Sequence, residues 1–430
     1  MNSNYSTAKP YPSTDRNQDT ADEYTSKPDT EVFRNRKYLR FTGSQYFRFK
    51  LAYSLLTTTP IEVSDINTEE VNIGIKPYEL SFLRLITEIT NGSHFKINET
   101  GTQLKFIPGT ITNNMGEFFS FDCDCSRAIS YYLEGLFPIC IFGKDKLNCT
   151  LKGSTHNNTD LSIDCFKAGI ESIMNRIVAG HEGNKLDIVS RAFGTNKGEV
   201  KAVFPIIKFI EAFDWVNIGK IKKVGGHCYT NNCSHLSNKL IDQLRINFNK
   251  LLNDVWIGKN THTEKGGKPG FGISVWATTT EGFTFCYDKS CFGSESVDPE
   301  ELSNEVCEKI LDEVLHTGSV DTHFQSLIFF LMSMTQRTAV SKLKVTRLSD
   351  HAKGLLKIIL ELFGVKFKID KVELDDYEDD IEDEEEEDED EDSENSEESK
   401  ENKQELAEPN FYLVFSCVGY QMDNKYRVEG

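Results

Sequence analysis

The sequence predicts an α+β fold with a smaller α/β insertion, and three observations predict it. The stretch Ser81–Gly109 reads as one amphipathic helix followed by a tight hairpin. A polar turn, an apolar helix, a hairpin and a further helix then recur roughly three times, at intervals of about 100 residues or more. A segment of different character, residues 208–296, interrupts the series.

Residues 1–36 are rich in Ser, Thr, Asn, Asp and Pro, the composition of a disordered tail. Arg34-Asn35-Arg36-Lys37 is a basic boundary or a weak nuclear-import patch. The repeating body spans 37–207 and 297–430. It opens on Leu39–Arg48 and an apolar helix through Leu51, Leu55 and Leu56, with a strand at Pro60–Val63. In the helix that follows, Phe82, Leu85, Ile86 and Ile89 fall on one side, and Asn91-Gly92 stops it. Phe95 and Ile97 pair with Leu104–Ile107 across the turn Glu99–Thr102. A helix through Ala128–Leu136, a strand Leu147–Gly153, a helix Phe166–Ile173 and a hairpin Arg191–Val200 repeat the pattern. A helix Glu300–Leu315 and an apolar helix entered through Gly318–Gln325 begin it again. The insertion offers a helix Leu236–Leu252 and strands at Val255–Ile257, Ile273–Thr278 and Phe283–Tyr287. Strands Val365–Ile369 and Phe411–Cys417 flank a disordered acidic loop, 371–408. Such length is tolerable, because loop closure costs about 0.6 kcal/mol per doubling.

The chain has 430 residues and a formal net charge of −20. Residues Glu373–Glu398 hold 20 Asp/Glu and no Lys/Arg; removing them leaves 68 − 20 = 48 acids against 48 bases. The folded body is therefore electrically balanced, and it lacks the basic stripe of a strong independent RNA binder. The acidic run either binds basic partners or is a solubilising spacer. Eleven scattered cysteines and a polar N-terminus without a signal-peptide core point to reduced thiols in a cytosolic or nuclear protein. No apolar run approaches the ~20 residues needed to span a bilayer.

Candidate chemistry is sparse. His227-Cys228, Cys233-x-His235, Cys123-x-Cys125 and Cys286-x4-Cys291 have none of the recognised zinc spacings, so no metal site is expected. No Gly-x4-Gly-Lys-Ser/Thr phosphate loop occurs. Gly266–Gly272, with Lys268, is either a turn or a cradle that sets backbone N–H groups and one ammonium near a phosphate. His351 reads as an exposed residue at a helix N-terminus capped by Ser349 or Asp350.

Four stretches carry a resemblance. They are Gly43-Ser44-Gln45-Tyr46-Phe47-Arg48, the helix–hairpin with Asn91-Gly92-Ser93 and Thr100-Gly101-Thr102, Lys268-Pro269-Gly270-Phe271-Gly272, and Gly318–Leu327. In order and spacing they resemble the RNA 3′-terminal phosphate cyclase superfamily, in particular its cyclase-like ribosome-assembly branch. The resemblance implies three units, each a four-stranded sheet with two helices, plus one inserted α/β domain.

True cyclases use ATP to adenylylate a histidine and close a 2′,3′-cyclic phosphate at an RNA 3′ end. The other branch lacks that activity and works in the nucleolus with a Bms-family GTPase, in the small-subunit processome that processes pre-18S rRNA. The residues point to the second branch. Where cyclases open with Gly-Gly-Gly-Gln, this chain has Thr42-Gly43-Ser44-Gln45. Where they carry phosphate-neutralising arginines, it has Asn67-Thr68-Glu69-Glu70, and each acid close to a triphosphate would repel it by roughly 1 kcal/mol or more. Where they place an Asp before a helix Gln, it has Phe324 before Gln325.

Gln45, Arg48 and Lys268 are left as candidate anion-pocket residues, and His351 falls where cyclases keep their nucleophile. The expectation is a non-catalytic ribosome-biogenesis factor with no cofactor. Its partners would be a Bms-family nucleolar GTPase and a pre-ribosomal particle with pre-18S rRNA and a small nucleolar RNP. The alternative is an ATP-dependent RNA 3′-terminal phosphate cyclase using His351. An endonuclease, for endonucleolytic cleavage of pre-rRNA, would need a metal or an acid/base cluster, and the sequence assembles none.

Overall fold

The structure, a computed structural model, describes residues 33, 36–178, 185–192, 197–232, 234–262, 270–292, 298–374 and 410–427. The N-terminal tail, Lys268 and nearly all of the acidic run lie outside them.

β1 (Leu39–Thr42) lies parallel to β2 (Ile61–Ser64), joined by α1 (Phe47–Thr57). α2 (Pro77–Ile89) follows, then the short β3 (Thr90–Asn91), the hairpin β4 (His94–Ile97) and β5 (Leu104–Ile107), and β6 (Thr110–Ile111), which pairs with β3. Gly101, at φ +71°, turns that hairpin, as the glycine in the expected turn requires. α2 buries Phe82, Leu85, Ile86 and Ile89, the stripe read from the sequence.

β7 (Phe119–Asp122), α3 (Ile129–Cys140), β8 (Leu147–Gly153), α4 (Ile163–Ile177), β9 (Lys185–Ser190) and β10 (Gly198–Phe204) repeat the order strand, helix, strand, helix, hairpin. β11 (Asp214–Trp215) then starts a third sheet and is interrupted. The interruption holds β12 (Ile221–Asn231), α5 (Ser234–Asn249), β13 (Val255–His262), β14 (Gly270–Thr279), β15 (Thr284–Phe292) and α6 (Pro299–His316). α7 (Gln325–Ser333), β16 (Ser341–Val345), α8 (Asp350–Phe363), β17 (Lys368–Glu373) and β18 (Phe411–Cys417) complete the third sheet.

Three four-stranded sheets share one design. Their strand orders are β1-β2-β5-β4, β7-β8-β10-β9 and β11-β16-β18-β17. In each the first pair is parallel and the other two pairs are antiparallel. Their helices bury one continuous core, in which α7 is enclosed on all sides from Leu327 to Met332. A run apolar all round belongs in such a core. Among the described residues no helix is long and apolar enough to cross a membrane.

The insertion has its own sheet, β13-β12-β14-β15, and its own core against α5 and α6. Its limits differ from the 208–296 expected. β11 pairs with β16, so the third sheet reaches into the expected insertion. α6, assigned by the sequence to the body, buries Leu302, Val306 and Ile310 in the insertion core. The apolar stripe was legible; the partner it faces was not. Likewise Gly270–Gly272 is strand rather than turn, and Lys371–Glu373 is strand rather than acidic loop.

α4 and α7 approach closely at Gly169, where a Cβ would overlap the Phe324 ring. Gly169→Ala should destabilise the protein by ~1–3 kcal/mol through overpacking. A urea midpoint unchanged from wild type would show that Phe324 has room to move.

Candidate functional site

Three helix starts meet at the sequence-predicted residues. The turn between β1 and α1 has two positive-φ residues, Gly43 at +72° and Tyr46 at +59°. It is held from beneath. Lys50, 2 % exposed, donates through Nζ to the carbonyls of Gly43 (2.9 Å) and Thr42 (3.4 Å). Burial lowers its ammonium to about 8, although Glu361 works the other way. From above, Ser44 Oγ donates to Asn67 Oδ1 at 2.6 Å. This geometry aims Tyr46 at α8: its hydroxyl donates to the His351 carbonyl at 2.9 Å, and the two rings lie 4.7 Å apart.

His351 stands in the first turn of α8, where Ser349 is the N-cap and accepts from the Ala352 N–H. Its Nδ1 pairs with Ser326 Oγ at 2.6 Å. Gln325, fully buried, donates to the Arg347 carbonyl at 2.8 Å and accepts from the Ser349 N–H at 2.9 Å, so it fixes the approach to α8. Burial lowers the His351 imidazolium; Glu134 pulls it up and Arg48 pushes it down. A neutral ring oriented by a neighbour is what nucleophilic or general-base work requires.

The surrounding charges do not support phosphate transfer. Arg48 pairs with Glu134 at 2.7 Å, donates to the Tyr131 carbonyl, and lays its guanidinium 4.0 Å from the Tyr131 ring centre. Its charge is already balanced. Gln45 is exposed, and no hydrogen bond ties it to His351. In the loop after β2, Glu70 pairs with Lys76 at 2.5 Å, and Asn67 donates to the Gly74 carbonyl at 3.0 Å. Phe324 is 2 % exposed and packs against Phe166. So Arg48 lies close enough to His351 to affect its charge, Gln45 stands exposed in the neighbouring turn, and the histidine has no carboxylate partner from α7. Lys268 lies outside the described residues.

Two of the zinc-like pairs separate, and Cys233 lies outside the described residues. His227 and Cys228 are neighbours on β12 and face opposite ways, Cys228 into the insertion core. Cys286 and Cys291 on β15 enter different cores. Among the described residues no group of three or more His, Cys, Asp or Glu is placed to hold a metal.

Two clusters escaped sequence reasoning. In one, Asp164 on α4 receives Arg191 in a bidentate pair (2.8 and 2.6 Å), with His156 at 3.5 Å and His227 at 4.0 Å. Burial works against its charge, but Arg191 and His156 outweigh burial and hold the carboxyl far below its usual range. In the other, Asp321 accepts from the Cys286 N–H and from His323 Nδ1 (2.7 Å), with Asp288 and Glu313 close by. These residues lie up to 71 positions apart (227 − 156), so no spacing rule could have joined them.

Comparison with known proteins fits this arrangement. Residues 39–369 match the family described as RNA 3′-terminal phosphate cyclase. This chain belongs to the RNA 3′-terminal phosphate cyclase family. A probable RNA 3′-terminal phosphate cyclase-like protein of Arabidopsis thaliana is 37 % identical over 347 residues, 77 % of this chain and 92 % of that protein. The RNA 3′-terminal phosphate cyclase-like protein of Homo sapiens is 32 % identical over 340 residues, 77 % of this chain and 90 % of that protein. An rRNA processing protein of Schizosaccharomyces pombe is 28 % identical over 344 residues, covering 78 % and 92 %. Within the cyclase family, then, this chain is similar to members whose names carry "cyclase-like" or rRNA processing.

Proposed function

We propose that this chain is a non-catalytic rRNA-processing factor of the small-subunit processome, acting in 18S pre-rRNA maturation in the nucleolus. The observation that carries this reading is Arg48. Its charge is balanced by Glu134, Lys50 is engaged by the carbonyls of the turn, and Phe324 fills the place of an acid, so neither of these cations is free to hold a triphosphate. The rRNA-processing relative supports the same reading. In this reading the protein acts by holding a Bms-family GTPase near pre-18S rRNA and its small nucleolar RNP, and its affinity for bare RNA is low. The three like-ordered sheets are taken as copies of one βαβαββ unit.

One observation favours the alternative, an ATP-dependent cyclase: the neutral His351 ring, oriented by Ser326 at 2.6 Å. Incubation with α-labelled ATP and a 3′-phosphorylated RNA separates the two. The expected result is no label on the protein and no cyclic end, with the tagged protein recovering the GTPase and pre-rRNA from nucleolar extract. Label and cyclic ends that vanish in His351→Ala would establish the cyclase.

A further inference from the structure

α5 and α6 cover one face of the insertion sheet, where Val224, Cys228 and Ile257 are buried. On the opposite face α4 covers the β14–β15 half: Ser162 Oγ and Ser274 Oγ lie 2.7 Å apart, and Cys165 Sγ reaches the Tyr287 carbonyl at 3.5 Å. The rest of that face carries a row of rings, Trp256 on β13, His227 on β12 and Trp276 on β14. The ring centres are 5.1 Å apart for His227–Trp256 and 5.6 Å apart for His227–Trp276.

Glycine makes the row possible. Gly225 sits in register between Trp256 and Trp276, and a Cβ there would stand 2.6 Å from Trp276 Nε1. A Cβ at Gly258 would stand 2.7 Å from Trp256 and 2.8 Å from His227. Bare backbone therefore lets the indoles lie over the strands instead of standing off them. Trp256 remains 53 % exposed.

The row borders a cavity of about 640 Å³ lined by Lys167, Arg191, Lys223, His227 and Trp276. The acids of its wall are already engaged: Asp164 by Arg191, Glu171 by Lys167 at 3.7 Å, and Asp187 by Lys185 at 2.6 Å. Lys223 has no acidic partner among the described residues and is exposed. One exposed and two half-buried rings beside an unpaired cation and a polar recess match the needs of unpaired nucleotides: faces on which bases stack, a positive charge for the phosphate, and room for a base turned out of line.

We infer that Trp256, His227 and Trp276 form a contact site for single-stranded RNA, with Lys223 on its backbone. That the RNA is ribosomal rests on the rRNA-processing reading; the contact itself does not. Stacking is tolerant of sequence, and a single free lysine makes the salt dependence shallow.

The test uses the full-length protein and a fluorescein-labelled, unstructured 12-mer RNA, read by anisotropy and by tryptophan quenching. Wild type should bind weakly and quench. Trp256→Ala should weaken binding ~5-fold or more and abolish most of the quenching, with an unchanged melting temperature. Lys223→Glu should weaken it and flatten its salt dependence. Equal affinity of Trp256→Ala and wild type, or no binding at ~100 μM, overturns the site. So does a Trp256→Ala variant that keeps RNA but loses the GTPase, which would make this face a protein-docking surface. Oligonucleotide binding with no recovery of pre-rRNA from extract would remove the ribosomal reading and leave the site standing.

Discussion

Arg191→Met should lower the unfolding free energy by ~3–5 kcal/mol, the cost of leaving one partner of a buried ion pair uncompensated. The Asp164 side chain is 3 % exposed and that of Arg191 is 12 % exposed. Without the guanidinium, the carboxylate keeps only imidazoles at 3.5 and 4.0 Å. Burial disfavours a charged His227, so that ring compensates poorly. The pair also ties α4 to the end of β9 and forms the floor of the cavity beside the insertion, so its loss should loosen that junction first. Removing both charges, in Asp164→Leu with Arg191→Met, should recover most of the loss, because an apolar pair carries no stranded charge. The sign with pH follows from the depressed folded-state value of Asp164. Its contribution is present above the unfolded carboxyl value, near 4, and is lost as pH falls below it. Urea melts at pH 7 give the free energies. A loss below ~1 kcal/mol for Arg191→Met would mean that water reaches the carboxylate and the pair is a surface one in effect.

Much of the body was legible because its signals are local. The stripe of α2, the glycine turn at Gly101 and the apolar run of α7 each lie within one element. β8 and β18 begin and end where the sequence places them. What failed depended on partners far along the chain. The stripe of α6 says that a face is buried, not that it is buried in the insertion. β11 is two residues long and is a strand because β16 pairs with it across more than 120 residues (342 − 214). β12 was not read as a strand, because Gly225, Gly226 and His227 lack strand propensity; the Trp276 ring over Gly225 supplies the reason for that glycine.

The state of the candidate site was not legible in the sequence. Arg48 and His351 lie near one another, yet no pattern near Arg48 announces that Glu134, one turn beyond Tyr131 on α3, takes its charge. Lys50 carried no signal in the sequence. It is buried because the carbonyls of a strained turn need a donor from below. Both residues show the same physics: at this site cations are spent on holding the chain, which leaves few for a ligand.

Asp288→Asn should raise the melting temperature by several degrees at pH 8 and by less at pH 5. Asp288 joins β15 to the start of α4 by accepting from the Ser162 N–H at 3.2 Å. Burial raises its carboxyl to about 7, with His323 and that N–H working against the rise and Asp321 adding to it. Glu313 is raised likewise, by burial and then by Asp321. Burial would lower the His323 imidazolium, but Asp321 and its neighbours outweigh burial and raise it to about 9. The folded state therefore binds more protons than the unfolded chain, from the carboxyl side above pH ~4 and from His323 above pH ~6.5. Unfolding free energy falls as pH rises through that window, and the Asp288 share is lost between about 4 and 7. Lys50, lowered to about 8, acts oppositely between 8 and its unfolded value, so wild-type melts alone mix the two. The difference between Asp288→Asn and wild type isolates one group, since the amide still accepts from Ser162 and carries no charge. Solvent reaches part of Asp288, and 43 % of the His323 side chain is exposed, which screens the cluster and keeps the effect to degrees rather than tens of degrees. A variant less stable than wild type at pH 8, or a difference flat from pH 5 to 8, would mean that the carboxylate is solvated and that the junction between the insertion and α4 carries no titrating strain.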